Sequence, residues 1–360
     1  MALTERIFEA QPVLPPLIPV PIDGRRPYDA SPAAYKRLRR AIVEAGLLDR
    51  QYGYYFWRTL LTFAMVGAGL VLAVTLPPGF GWAALAAMVL GIGLGQVGMI
   101  GHDCGHLQVF KKAANNWLLG QFCFSFVIGV GFWSWRDRHN IHHVETNDEE
   151  VDPDLAFGGF FTLNPDDAAS RTGLSRLIVR YQSWLFVPAI ILFLSLSMRA
   201  EGWRFAIMEL RGTRKWIELA VLIANAALWL LPTYFLGWGW LGVFLMAQGV
   251  GGFYLGMTIA PNHKGMPTWA HGTKLTFLER QVIGSRNILP GPIAEFTFGG
   301  LNYQIEHHLF PNMPRVNLGT CHQIVKPFCE ARGIPFEECS VWESYRQTFG
   351  ALNAVGRAAR

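Results

Sequence analysis

"TLLTFAMVGAGLVLAVTLPPGFGWAALAAMVLGIGLGQVGMIG", residues 59–101, runs for 43 positions without an Asp, Glu, Lys or Arg. A helix needs about 20 apolar residues to cross roughly 30 Å of hydrocarbon, so this stretch has room for two crossings. The "PPGFG" at 77–81 supplies a turn between them. A second stretch, Leu219–Asn262, is uncharged for 44 residues and carries "LGWG" at 236–239 just after Pro232. The pattern predicts an all-α membrane protein with two helical hairpins. Its four spans fall at about 55–76, 82–101, 216–235 and 238–260.

The rest of the composition agrees. Of 360 residues, 51% are hydrophobic and only 16% charged, against about 25% charged in soluble globular proteins. None of the 31 Lys and Arg lies in the two uncharged stretches or their turns. By the positive-inside rule both termini and the central region face the cytoplasm, making the chain a multi-pass integral membrane protein. The +5 net charge is explained by this placement, and nucleic acid is not an expected partner. Five cysteines (Cys104, Cys123, Cys321, Cys329, Cys339) form no CxxC pair, which suits a reducing compartment rather than a disulfide framework.

Residues 1–30 are proline-rich with no apolar core, so they read as a flexible arm rather than a signal peptide. Ser31 and Pro32 then mark a helix start. Tyr35, Leu38 and Ile42 recur at helical spacing beside Lys36, Arg37, Arg39 and Arg40. That face suits an anionic membrane surface, or equally a helix packed on its own domain. The expected division is an N-terminal arm and surface helix (1–54), a membrane domain (55–335) and a cytoplasmic C-terminal tail (336–360).

Seven of the ten histidines fall into three clusters. "HDCGH" sets His102 and His106 at i and i+4. "HNIHH" sets His139, His142 and His143 at i, i+3 and i+4. "NYQIEHHLFPNMPR" (302–315) repeats the second geometry with Gln304 first, then His307 and His308. On a helix these positions share one face. Neutral imidazole is the commonest metal ligand in proteins, and so many unpaired imidazoles buried beside a membrane would be costly. His271 and His322 stand apart from the clusters and read as ordinary satisfied side chains.

These boxes, HxxxH, HxxHH and QxxHH in this order among four apolar spans, resemble those of the membrane-bound fatty acid desaturases. So do "VETNDEEVDPDL" (144–155) and "NYQIEHHLFPNMPR". The likeness covers roughly residues 50–330. It implies two irons at the cytosolic membrane face that activate O2 and introduce a cis double bond into an acyl chain. Carried over by motif, the ligands are His102, His106, His139, His142, His143, His307 and His308. His263 in "APNHKGMP" occupies the place of a further family ligand at the inner end of the last span. Gln304 fills a position that many relatives give to histidine; its carboxamide oxygen is expected to bind metal weakly or through water. The glutamine form resembles the front-end and sphingolipid desaturases, though the HPGG haem motif of a fused cytochrome b5 is missing here.

Several carboxylates lie near the boxes: Asp103, Glu145, Asp152, Asp154 and Glu306. Each could orient a histidine by accepting its second ring N–H, or be a solvated cytoplasmic charge. Glu306 lies about 200° round a helix from Gln304, so it is expected to point away from the metals. For all boxes to meet on one side, Trp117–Trp135 and Tyr181–Met198 must be interfacial or re-entrant.

No flavin, haem or iron–sulfur motif is evident. The reading therefore requires an external electron donor, such as ferredoxin or cytochrome b5 with its reductase. The substrate would be a fatty acyl chain on CoA or on a membrane lipid. Two alternatives stay open: a hydroxylase or ketolase using the same centre, and a non-redox metal-binding membrane protein.

Overall fold

The computed structural model describes residues 27–75, 79–155, 159–192 and 196–359. Most of the arm expected at 1–30, and the prolines of the 77–81 turn, lie outside the described residues. The chain divides into two compact units. One comprises Arg50–Asp137 and Val187–Met257, the other Met1–Asp49, Arg138–Phe186 and Thr258–Arg360.

The first unit is apolar. Among the described residues four helices are long and apolar enough to cross a membrane: Tyr52–Thr75, Phe80–Gly105, Gly212–Leu236 and Trp238–Asn262. The expected spans are shifted by only a few residues, because Tyr52, Gly53 and Tyr54 continue the first helix and the "HDCG" box continues the second. Large side chains on the first and third, among them Trp57, Leu61, Val74, Ile223 and Leu231, are exposed. In water such a surface would aggregate; in lipid it is solvated.

Several polar groups inside this unit are paired. Gln96 on the second helix accepts from Arg58 Nη2 and donates to the Tyr254 hydroxyl. Tyr55 donates to Gln108 at 2.9 Å. Glu218, buried on the third apolar helix, accepts from Ser125 Oγ at 2.8 Å, Gln121 Nε2 at 2.8 Å and the Phe132 backbone N–H at 2.9 Å. These three donors come from the stretch that was expected to be interfacial or re-entrant. There the helix Ala113–Gln121 continues as a π-helix, Phe122–Ile128. The chain then breaks at Gly129, whose φ of +85° is left-handed, and restarts at Phe132, bent by 112°. Glu218 thus satisfies the N–H that the break exposes.

The second unit is compact and more polar. Ser31 caps the helix Pro32–Glu44 by accepting from Ala34 N at 3.2 Å. Leu38 and Ile42 are fully buried in a cluster with Ile305, Leu309, Phe310 and Val325, and the Tyr35 hydroxyl donates to Leu309 O at 3.1 Å. Of the two readings of this helix, packing on its own domain is the one seen.

The fold departs from all-α in one small feature. Two three-residue strands, β1 (Arg286–Ile288) and β2 (Glu337–Cys339), pair in parallel with Asn287 opposite Glu338. After β2, Ser340 caps an 18-residue helix, Val341–Ala358. Its Leu352 carbonyl accepts from Gln182 Nε2 at 3.0 Å. The residues expected to form a tail are therefore folded onto the second unit. All five cysteines are free.

Candidate metal centre

Helix periodicity aims the second box. His139, His142 and His143 all lie on the helix Phe132–Val144, and the third box forms its own short helix, Gln304–Leu309. Within the second unit these helices bring His142 and His308 to His263, which follows the 3-10 turn Ala260–Asn262. One ring nitrogen from each of the three lies within 4.8 Å of the others. All three are buried.

Their outer nitrogens are taken. His142 Nδ1 donates to both oxygens of Asp152 at 3.0 Å. His263 Nδ1 donates to the Gly284 carbonyl at 3.0 Å. His308 Nδ1 donates to Gln281 Oε1 at 2.8 Å. That oxygen is correctly placed, because the other end of the same amide donates to the His143 carbonyl at 2.9 Å. Each imidazole is thereby fixed with its proton on Nδ1 and its lone pair on Nε2; at His263 that lone pair meets the Gln304 amide nitrogen at 2.9 Å.

Electrostatics keep those lone pairs available. Burial pushes His263 down to about 3, with the neighbouring His142 adding to the fall. Burial and the surrounding imidazoles also hold His308 well below its ordinary value. His142 is the exception: burial would lower it, but Asp152 outweighs burial and raises it. An imidazole cluster in which two members stay neutral and one is backed by a carboxylate suits a cation. His308 Nε2 is buried with no hydrogen-bond partner among the described residues, the position a metal would fill.

A second group lies beside the first. His139 and His307 offer nitrogens within 4.8 Å of one another. His143 stands between the groups, stacked on His308 at 4.2 Å and edge-on to His307 at 4.9 Å. Asp154 lies 3.9 Å from His139 Nδ1 and 2.7 Å from Arg138. Burial would raise the Asp154 carboxyl, but Arg138 holds it well below the usual carboxylate range. In the apolar unit His102 and His106 pack edge-on with ring centroids 4.7 Å apart, and His102 Nδ1 lies 3.4 Å from Asp103.

Of the other candidate carboxylates, Glu145 pairs with Arg280 at 3.0 Å instead of with a histidine. Glu306 is fully buried and turned away from the imidazoles, as its position on the helix requires. It meets Asn287 at 2.7 Å and His322 at 2.9 Å. His271 pairs with Asp148 at 3.1 Å.

Gln304 is held from two sides. Its oxygen accepts from Asn262 Nδ2 at 3.0 Å, and its nitrogen lies 2.9 Å from His263 Nε2. The assignment is forced by Asn262, whose Nδ2 also donates to the Thr258 and Leu301 carbonyls. A donor that is satisfied by two carbonyls must face an oxygen. The carboxamide oxygen is therefore engaged by Asn262, and it is the amide N–H that faces the imidazoles.

The sequence reading missed the segment Gln281–Asn287. Gln281 holds His308, the Gly284 carbonyl holds His263, and Arg286 donates to the Pro261 carbonyl at 2.6 Å beside it. Asn287 accepts from Ile305 N at 2.9 Å, at the start of the third-box helix. Amides and a backbone carbonyl carry no metal-ligand signature, so only the folded chain exposes their role.

Comparison with known proteins follows the same line. A family model described as Fatty acid desaturase matches residues 80–340. The chain is 28% identical over 337 residues to the Delta(6)-fatty-acid desaturase fat-3 of Caenorhabditis elegans, covering 89% of this chain and 74% of that protein. It is 29% identical over 321 residues to the Delta(8)-fatty-acid desaturase of Euglena gracilis, covering 84% and 74%. It is 28% identical to the acyl-lipid (9-3)-desaturase of Borago officinalis over 91% of this chain and 75% of the relative. With the family match extending across the second and third histidine boxes and every helix that carries them, this chain belongs to the fatty acid desaturase family.

Proposed function

We propose that this chain desaturates a fatty acyl substrate in an O2-dependent reaction at a centre of two irons, introducing a cis double bond. The observation that carries the reading is the trio His142, His263 and His308, whose Nδ1 atoms are all tied back and whose Nε2 atoms converge. Those three would hold one iron. By the family motif, His102, His106, His139, His143 and His307 would supply the remaining ligands. Gln304 would touch the site through its N–H, and any direct bond to metal would need Asn262 to release its oxygen.

When bound, the irons supply the oxidising power that no side chain has, since removing hydrogen from an unactivated methylene needs a metal–oxygen reagent. The chain's own residues do the rest. Asp152, Gln281 and the Gly284 carbonyl fix the tautomers and ring planes. Burial excludes bulk water from the imidazoles. The apolar helices would lie in the membrane as two hairpins, four crossings in all, with the histidine-bearing segments and both termini cytoplasmic. The acyl chain would reach the site from the lipid phase.

Electrons would come from a separate carrier, a ferredoxin or cytochrome b5 with its reductase, docked on the basic cytoplasmic face that includes Lys111 and Lys112. The test is purified chain in detergent with a reduced carrier, O2 and fatty acyl substrates, followed by mass spectrometry and iron analysis. The expected product has lost two hydrogens, and the protein carries about two irons. A product that has gained an oxygen, or a chain holding one zinc and no iron, sinks the proposal.

A further inference from the structure

Glu306 sits between the proposed ligands His307 and Gln304 in sequence, is fully buried, and takes no part in holding an imidazole of the centre. Its carboxylate must still be satisfied, and the groups that do so come from two other elements. Asn287 Nδ2 donates to Oε2 at 2.7 Å and His322 Nδ1 meets Oε1 at 2.9 Å. On the far side of the same ring, His322 Nε2 lies 3.1 Å from Glu338 Oε1. Glu338 is paired in turn with Lys326 at 2.5 Å.

The order is carboxylate, imidazole, carboxylate, ammonium. Asn287 and Glu338 are direct partners in the parallel β1–β2 ladder, so their side chains leave the same face of that small sheet. Asn287 also accepts the Ile305 N–H, one of the first in the third-box helix. Tyr303 at 5.5 Å and Phe336 at 5.8 Å wall the His322 ring with apolar surface.

We infer that His322 is a positioning residue: by bridging Glu306 to Glu338 it neutralises a buried carboxylate and anchors the helix carrying His307 and His308 to the β1–β2 sheet. A buried charge that loses its partner is left uncompensated in a medium of low dielectric. The cheapest escape is for water or a shifted helix to reach it, and a shift of Glu306 moves the neighbouring His307. The protonation behaviour of the ring agrees: burial would lower the His322 pKa, but its hydrogen bond to Glu306 and the charges of Glu306 and Glu338 raise it. His322 is not among the proposed ligands, yet the third box depends on it.

The inference rests on the metal reading, so its test separates the two. The full-length chain is purified in detergent with bound iron, and the rate of iron loss to an excess of a strong chelator is followed by absorbance. His322→Ala should release iron at least about tenfold faster than wild type, the scale on which supports of metal ligands act. The double variant Glu306→Gln/His322→Ala, which removes the stranded charge, should return the rate to within about threefold of wild type. A His322 side chain that merely fills space would not be rescued in this way. If His322→Ala does not accumulate as folded protein, recovery of folded, iron-bearing protein in the double variant supports the bridge. Wild-type retention in His322→Ala, or a double variant as leaky or as poorly folded as the single, overturns it. A wild-type chain without iron would instead overturn the proposed function.

Discussion

Asp152 illustrates how much of the centre is set one residue away from the ligands. Both its oxygens take the His142 Nδ1 proton, and they also accept from the Asn147 and Asp154 backbone N–H groups. The carboxylate is thus held by backbone and orients the ring in turn. Asp152→Asn keeps the shape but removes the charge that backs the imidazole. It should weaken iron retention and activity by about 10- to 100-fold, measured as iron per chain and as turnover. Glu145→Gln, which loses only a pairing with Arg280, should change iron content by less than threefold. Equal losses in the two variants would mean that charge near the boxes matters and orientation does not. The histidines proposed as ligands stand out in the sequence because their spacing is periodic and imidazole has few structural uses in clusters. The supports were legible only where they were acids. Asp152 and Asp154 stood out as carboxylates, while Gln281 and Asn287 read as unremarkable polar residues in a short helix and its following strand.

At the scale of elements, the bent segment shows how an apolar stretch is broken sharply. Ala113–Ile128 and Phe132–Val144 are apolar enough together to pass for one span, and composition alone left the choice to the histidines. The turn is made by Gly129 in a left-handed conformation and by Glu218, whose oxygens collect three donors from the segment. Removing that acceptor strands the Ser125 hydroxyl and the Gln121 amide and leaves the Phe132 N–H with Ser125 Oγ, at 3.0 Å, as its acceptor. Glu218→Ala should therefore cost about 3 kcal/mol, seen as a fall of several degrees in the unfolding midpoint in detergent. Glu218→Gln keeps one oxygen and should cost less. If the alanine variant melts with the wild type, Glu218 does not hold the bend. The reason it escaped notice is plain: a single Glu at the edge of a 44-residue apolar stretch looks like the boundary of a span. It is in fact buried on the helix, facing a partner a hundred residues away.

The whole molecule was legible where pattern is long. Each of the four apolar helices begins and ends within a few residues of its expected limits, because a span consumes some twenty residues of hydropathy signal. The second unit was not, because it is assembled from three separated pieces of chain. The docking of Leu38 and Ile42 beside Leu309 and Val325 depends on contacts that no local pattern encodes. The proposed orientation is open to a direct check. Reporters fused at residue 160 and at residue 210 should both stay on the cytoplasmic side, and one at the 236–239 turn should appear outside. A reporter at 160 or 210 found outside would require an odd number of crossings between the boxes and would scatter the ligands across the bilayer.

The β1–β2 pair also sets an order of events in biosynthesis. A ribosome emits the chain from its N-terminus at roughly 5–20 residues per second, and Glu338 follows every proposed ligand in the sequence. While the third box is leaving the exit tunnel, β1 has no strand to pair with and Glu306 has no bridge to Glu338. A nascent chain that captured iron early would hold it on a helix still free to swing. The geometry that would keep a metal thus comes into being only after Glu338 has been made, when all four apolar helices have already left the ribosome.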